Sequence, residues 1–212
     1  MLRVAIVDDH PVARYGLAAI LAAVEDLRIV ATVATCAELP MDEADTVAAD
    51  LVILDLYLAA GRPALGDITR LSAQRPVLVV SASRAPADVL AAMQAGASGY
   101  LTKHAAGDAY VTAIRSVTSG GFYLSAQLAD MLHAATGTRI PAAAGREPLS
   151  PREQEALAYI ARGFTHQQTA TRMGVSKATV DTYIARIRTK LGLGNKAELA
   201  LAALRYLSPP LR

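Results

Sequence analysis

Five side chains in this 212-residue chain have the types and the order needed to handle a phosphoryl group. Asp8 and Asp9 follow an apolar run at 3–7, and Asp55 closes one at 51–54. Ser81 follows the run at 77–80, and Lys103 comes just after the one at 99–101. If the carboxyl ends of these runs share one edge of a sheet, three carboxylates crowd together. Like charges that close raise one another's proton affinity. A hard divalent cation relieves the repulsion, and oxygen donors suit Mg²⁺. Its open positions receive a phosphoryl group, whose charge the metal neutralises during transfer. Asp55 is then the candidate nucleophile, forming an acyl phosphate. Ser81 offers a hydroxyl to a phosphoryl oxygen, and Lys103 a compact positive charge. Taken singly, an Asp pair is a turn or a cap, a terminal Ser is commonplace and a Lys is a solvated charge. The information lies in all of them standing at one edge in this order.

The elements that must position these groups are legible as five strands, at 3–7, 29–33, 51–54, 77–80 and 99–101. All are short and apolar throughout, as a parallel sheet covered on both faces requires. Helical stripes lie between them: Ala13, Leu17, Ile20, Leu21 and Val24 in one, Val89, Leu90 and Met93 in another, Tyr110, Ile114 and Val117 in a third. Five strand–helix units predict an α/β fold, a doubly wound five-stranded parallel sheet of the flavodoxin type. In such sheets ligands lie beyond the carboxyl ends of the strands. Residues 125–135 read as one more helix outside the sheet repeat. Residues 136–148, rich in Gly, Pro and Ala with no apolar period, read as a mobile interdomain linker.

Beyond residue 149 the pattern changes to short helices with start and stop residues at almost every boundary. Ser150-Pro151-Arg152-Glu153 is a capping box with proline at the first helical position. Thr165-His166-Gln167-Gln168 is a second box, with Gly163 placed to end the preceding helix. Gly174 stops the next helix and Ser176 caps the one after it. That helix carries Val180, Ile184, Ile187 and Leu191 on one stripe, with Lys177, Arg186 and Lys190 away from it. Asn195-Lys196-Ala197-Glu198 opens a fourth helix, a strongly apolar one at 196–207. A short helix, a tight turn and a longer polar-faced helix make a helix-turn-helix, whose second helix can enter the major groove of double-stranded DNA. The second domain is therefore a small all-α unit of four helices.

Charge divides the chain in the same place. Residues 1–122 hold nine Lys or Arg against thirteen Asp or Glu, whereas residues 150–212 hold ten against four. An acidic front joined to a basic back fits a regulatory module tied to a nucleic-acid module. Cys36 is the only cysteine, so no internal disulfide forms. It reads as a packing residue, and the chain fits the reducing cytoplasm. No run approaches the roughly 20 apolar residues of a membrane span, and the N-terminus reads directly as a strand rather than a signal peptide.

These residues carry a resemblance. Val7-Asp8-Asp9-His10, Leu54-Asp55-Leu56, Ser81-Ala82 and the stretch from Ala95 to Lys103 are similar to a response-regulator receiver domain over residues 1–122. Residues 149–207 resemble the LuxR-type helix-turn-helix of a DNA-binding domain spanning 149–212, with residues 123–148 as linker helix and linker. The whole resembles the NarL/FixJ class of two-component response regulators. The resemblance implies that a cognate histidine kinase phosphorylates Asp55. It implies Asp9 as a direct metal ligand, Asp8 as a ligand directly or through water, and Tyr57 as the donor of a main-chain carbonyl. Ser81 and Tyr100 match the switch pair, in which the hydroxyl moves toward the phosphoryl group and the ring turns inward. One departure is visible: the family often has Met-Pro soon after the phosphoacceptor, whereas here Tyr57-Leu58-Ala59-Ala60-Gly61-Arg62-Pro63 makes a longer loop with a displaced proline. Tyr57 is bulky for its position and could gate water.

For the DNA-contacting helix, the resemblance maps Thr179 and Lys190 onto backbone contacts, with Lys177, Arg186 and Arg188 as further candidates. It maps Asp181, Thr182 and Ala185 onto groove-facing positions. Many relatives have Lys or Arg where this chain has Asp181, which either reads a cytosine amine or turns inward to cap or pair. The fourth helix packs on the core, and in relatives its equivalent also forms a homodimer contact on DNA. Two rival readings remain. A receiver controlled by ligand or protein binding would be favoured by the loss of one of Asp8, Asp9, Asp55, Ser81 or Lys103, and all are present. A phosphatase with an Asp nucleophile often needs a second acid two residues on, where this chain has Tyr57. The expectation is a transcription factor, not an enzyme, whose receiver catalyses only its own phosphoryl transfer and dephosphorylation.

Overall fold

The computed structural model describes residues 1–58, 61–136, 148–161, 164–193, 199 and 202. The first part alternates strand and helix: β1 (Leu2–Val7), α1 (Pro11–Ala22), β2 (Leu27–Val33), β3 (Leu51–Asp55), α2 (Leu65–Ser72), β4 (Val77–Ser81), α3 (Pro86–Gln94), β5 (Gly99–Thr102) and α4 (Gly107–Thr118). The strands pair in parallel in the order β2-β1-β3-β4-β5, with a sixth strand, β6 (Tyr123–Leu124), beyond β5. The central strands β1, β3 and β4 are apolar over most of their length because both faces are covered. Ala5, Val7, Val52, Leu54, Val77 and Val79 point to the face covered by Ile68, Leu71, Val89 and Met93 of α2 and α3. Val4, Ile6, Leu51, Ile53, Leu78 and Val80 point to the other, covered by Leu17, Leu21, Tyr110 and Ile114 of α1 and α4. This is the period-two alternation of a strand, apolar on both sides.

Two features differ from the sequence expectation. The connection from β2 to β3 is not a helix: it holds a 3-10 turn at Cys36–Glu38 and a bridge between Met41 and Val47. Asp42 takes the backbone N–H groups of Ala44 and Thr46, at 3.0 and 2.9 Å, and so offers the chain a turn in place of a helix. The sheet also has six strands, not five, because it continues past residue 122. Gly99 makes room for β6, since a Cβ there would lie 2.9 Å from Tyr123 O. The helix expected outside the sheet repeat, α5 (Ala126–Thr136), packs on α3 and buries Leu128 and Leu132 in the sheet core. The linker at 136–148 lies almost wholly outside the described residues.

The helical part contains α6 (Pro151–Ala161), α7 (His166–Met173) and α8 (Lys177–Leu191) around a separate apolar cluster of Leu157, Ile160, Met173, Val180, Ile184 and Ile187. The predicted capping boxes form. Glu153 N donates to Ser150 Oγ at 3.3 Å and Ser150 N to Glu153 Oε2 at 2.7 Å. Thr165 and Gln168 close the second box. Gly174 ends α7 at φ 65°, a left-handed conformation that favours glycine. Gly163 and most of the fourth helix lie outside the described residues, although Leu199 and Ala202 are helical and buried. Among the described residues, no helix is long and apolar enough to cross a membrane.

Candidate functional site

Strand register builds the first site. Val7 of β1 lies beside Leu54 of β3, so the next residues, Asp8 and Asp55, leave neighbouring strands together. Asp55 pairs with Val80, which brings Ser81 to the same edge on β4, and Ser81 pairs with Thr102 of β5, just before Lys103. β1 stands between β2 and β3, where the winding of the sheet reverses and the strand ends leave a crevice. The predicted convergence of Asp8, Asp55, Ser81 and Lys103 is therefore observed. Lys103 Nζ lies 2.7 Å from Asp55 Oδ2 and 2.8 Å from Asp8 Oδ2. Both carboxylates are buried. Burial pushes the Asp55 carboxyl above its ordinary range; Lys103 opposes this, and the Asp8 charge adds to it. Burial acts to lower the Lys103 ammonium, but its bonds to Asp55 and Asp8 prevail and hold it above its ordinary value.

Asp9 completes the acidic group. Its Oδ1 is buried and accepts no hydrogen bond, although His10 Nδ1 lies 2.9 Å away as an ion-pair contact. That same nitrogen is 3.3 Å from Asp8 and 3.7 Å from Asp55. Donor atoms of Asp8, Asp9, His10 and Asp55 all fall within 4.8 Å of one another, a set that can hold a metal ion. His10 was not among the predicted site residues; only its place directly after the Asp pair pointed to it. A cavity of about 440 Å³ opens over Asp55, Ser81 and Lys103, with Tyr57 and His10 in its wall.

The expected switch residues are placed by a chain of hydrogen bonds. Tyr57 donates its N–H to Asp55 Oδ1 at 3.3 Å and its hydroxyl to Asp88 Oδ1, on α3, at 2.9 Å. Ser83 donates its hydroxyl to Asp88 Oδ2 at 2.5 Å and its N–H to Ser81 Oγ at 3.1 Å. Tyr100 is fully buried with its ring inward, and its hydroxyl donates to Ser83 O at 3.1 Å. Burial pushes that hydroxyl up to about 12. Ser83 and Asp88 were invisible in the sequence, where a Ser and an Asp in a loop and a first helical turn are ordinary.

The second site is α8. Ser176 Oγ accepts the Thr179 N–H at 3.1 Å and starts the helix. With Val180, Ile184 and Ile187 buried, Lys177, Thr182, Ala185 and Arg186 stand exposed, and Thr179 and Arg188 are half-buried. One predicted residue is placed differently from expectation, and another takes the inward of its two expected placements. Lys190, expected on the DNA backbone, reaches back to Glu153 Oε2 at 3.0 Å and to Pro148 O at 3.4 Å. A buried carboxylate holds it there. Asp181 pairs with Lys177 at 2.9 Å and with His166 at 2.5 Å.

Comparison with known proteins divides the chain as its charge does. The family described as "Response regulator receiver domain" matches residues 4–115, and the one described as "Bacterial regulatory proteins, luxR family" matches residues 147–203. Over 205 residues the chain is 32% identical to the transcriptional regulatory protein UhpA of Salmonella typhimurium, covering 94% of this chain and 96% of that one. It is 33% identical over 208 residues to the response regulator GacA of Pseudomonas aeruginosa, covering 97% of each. Among solved structures, the response regulator ChrA of a heme-sensing two-component system is 31% identical, with a TM-score of 0.53 over 95% of this chain and 96% of that one.

Proposed function

The chain belongs to the two-component response regulators that join a receiver domain to a LuxR-type DNA-binding domain, and from that premise we propose that phosphorylation of Asp55 switches it. It is a transcription regulator, not an enzyme acting on an outside substrate. The observation that carries the Asp55 assignment is one ammonium, Lys103 Nζ, within 2.8 Å of two buried carboxylates beneath an open cavity. Such a group is held ready for incoming negative charge. We assign residues 1–122 to the receiver, 123–148 to a segment whose β6 and α5 add to the receiver's sheet and core before the linker, and 149–212 to the DNA-binding domain.

Each residue has a task. An Asp55 oxygen attacks the phosphorus of a kinase phosphohistidine or a small acyl phosphate, and the P–N or P–O bond breaks to release the histidine or the carboxylate. Lys103 and the Ser81 hydroxyl meet the transferred oxygens. Tyr100 fills the space behind the displaced hydroxyl. The acidic set fits a hard divalent cation, Mg²⁺, because Asp9 Oδ1 is a buried acceptor without a hydrogen bond. Asp8, Asp9, Asp55 and the Tyr57 carbonyl would hold it, and it would supply charge neutralisation at the transferring group. On α8, Thr179, Arg186 and Arg188 would meet DNA phosphates, Lys177 stands beside them paired with Asp181, and Thr182 and Ala185 would face the groove. Lys190 would act on DNA through the Glu153 contact that anchors α8. The protein would work in the cytoplasm and bind DNA as a homodimer.

Incubating the full chain with acetyl phosphate and Mg²⁺ should add one phosphoryl mass, and Asp55→Asn should take up none. Unchanged mass in the native chain, with DNA binding intact, would instead favour a receiver controlled by ligand or protein binding.

A further inference from the structure

An acid on the DNA-facing side of a helix is out of place, because phosphates repel it. Asp181 occupies such a place on α8, one turn after the exposed Lys177 and beside the exposed Thr182. Both of its oxygens are already engaged within the protein. Oδ2 accepts from Lys177 Nζ at 2.9 Å. Oδ1 lies 2.5 Å from Nδ1 of His166, the first residue of α7. The Lys177 bond and then the His166 bond hold the Asp181 carboxyl below its usual range. His166 is itself fixed, since the capping box of Thr165 and Gln168 sets the first turn of α7 around it.

The α7–α8 packing in this region is mainly apolar, with Ala170 and Met173 of α7 and Val180 and Ile184 of α8 in one cluster beside the buried Thr169. Apolar contact holds two helices together but is non-directional. The His166–Asp181 bond adds the direction that apolar packing lacks, and it acts near the end of α8 that enters the groove in this class of motif.

We infer that Asp181 is a positioning residue of the DNA interface and not a base reader. Bonded to His166, it fixes the rotation of α8 about its own axis. Bonded to Lys177, it keeps that ammonium from the phosphates. Sequence preference then depends on a histidine that never touches DNA. The inference rests on α8 being the DNA-contacting helix.

The test uses the full chain treated with acetyl phosphate, and a pool of random-sequence duplexes from which each variant selects its preferred sites. Affinities are then measured across a salt series for a selected and for a random duplex. Asp181→Ala should bind the random duplex more tightly, with a salt slope steeper by about one as Lys177 gains a phosphate. Its preference for the selected duplex should fall roughly three- to fivefold. His166→Gln should show the same loss of preference with the slope unchanged, and the double variant should lose no more than either alone. If Asp181→Ala selects a different base at one position while His166→Gln selects the native sequence, Asp181 reads that base and the inference fails. Additive losses, or full preference in both variants, also overturn it. Arg186→Ala separates the two layers. Weaker binding to every duplex retains α8 as the DNA helix whatever the other variants do, and unchanged binding removes α8 and the positioning role together.

Discussion

Two buried carboxylates in this molecule each hold a lysine, and their environments push them in opposite directions. Asp55 in the sheet domain lies 2.7 Å from Lys103, and Glu153 in the helical domain lies 3.0 Å from Lys190. Neither side chain is open to solvent, at 4% and 2% exposure, but Asp55 lies deeper among surrounding atoms and burial weighs more on it. Burial raises both. In Glu153 it is outweighed by the Ser150 N–H and the Lys190 ammonium, and the carboxyl ends below its ordinary value. In Asp55 burial is the largest influence and prevails over the Lys103 ammonium, which is shared with Asp8, and the Asp8 charge adds to it. A satisfied buried acid closes a helix start. An under-satisfied one, open to a cavity, is a place where new charge can be received.

The comparison breaks or holds on the sign of two substitutions. Glu153→Gln removes one half of a capping box and leaves Lys190 without its acid, and should destabilise the helical domain by about 1–2 kcal/mol. Asp55→Asn relieves a like-charge contact, and in chelator-treated buffer it should leave stability unchanged or raise it by about 0.5–1 kcal/mol. Denaturant melts followed in each domain would measure both. Equal losses would mean that the two sites are not different in kind.

Acid titration sharpens the same contrast. The folded Glu153 carboxyl titrates below its ordinary value of 4.5. Its contribution to stability is therefore complete above that value and is lost as the pH falls through the depressed folded value. Melting of the helical domain between about pH 6 and pH 3 should steepen below 4.5, and Glu153→Gln should flatten that part of the curve. An unaltered curve in the variant would show that the Ser150 and Lys190 bonds contribute nothing.

How much of this was legible in the sequence follows from the same division. The strand ends were readable because a doubly covered strand leaves an unbroken apolar run, and Asp55 and Ser81 mark where each run stops. Register then brings them together without further information. The helix boundaries at Ser150, Thr165, Gly174 and Ser176 were readable because caps are local. The turn at Cys36–Glu38 was not, since it rests on single local bonds from Glu38 and Leu39 back to Thr35 and Cys36, nor was the Asp42 turn that follows it. Nor was β6, two residues long and dependent on the space that Gly99 leaves. Lys190 looked like one more basic residue on a polar face, and only the fold shows that Glu153, 37 positions earlier, lies opposite it. Asp181 and His166 were missed as a pair for the same reason: pairings between elements leave no periodic trace in the chain.

The smallest expected effect concerns the wall of the phosphoryl pocket. Tyr57 lines the cavity over Asp55, and its hydroxyl is tied to Asp88 at 2.9 Å. Asp88 in turn accepts from Ser83, whose N–H meets the Ser81 hydroxyl. The ring is thus held at the cavity by its bond to α3. Tyr57→Phe keeps the ring and removes only the bond, which is worth about 1 kcal/mol. Tyr57→Asn removes the ring as well. If the ring excludes water, the acyl-phosphate lifetime should shorten modestly in the Phe variant and more in the Asn variant. Equal lifetimes in all three proteins would leave Tyr57 contributing only through its main chain, the N–H to Asp55 and the carbonyl. A shortening in Tyr57→Phe matched by Asp88→Asn would place control of the lifetime in helix α3, outside the acidic cluster itself.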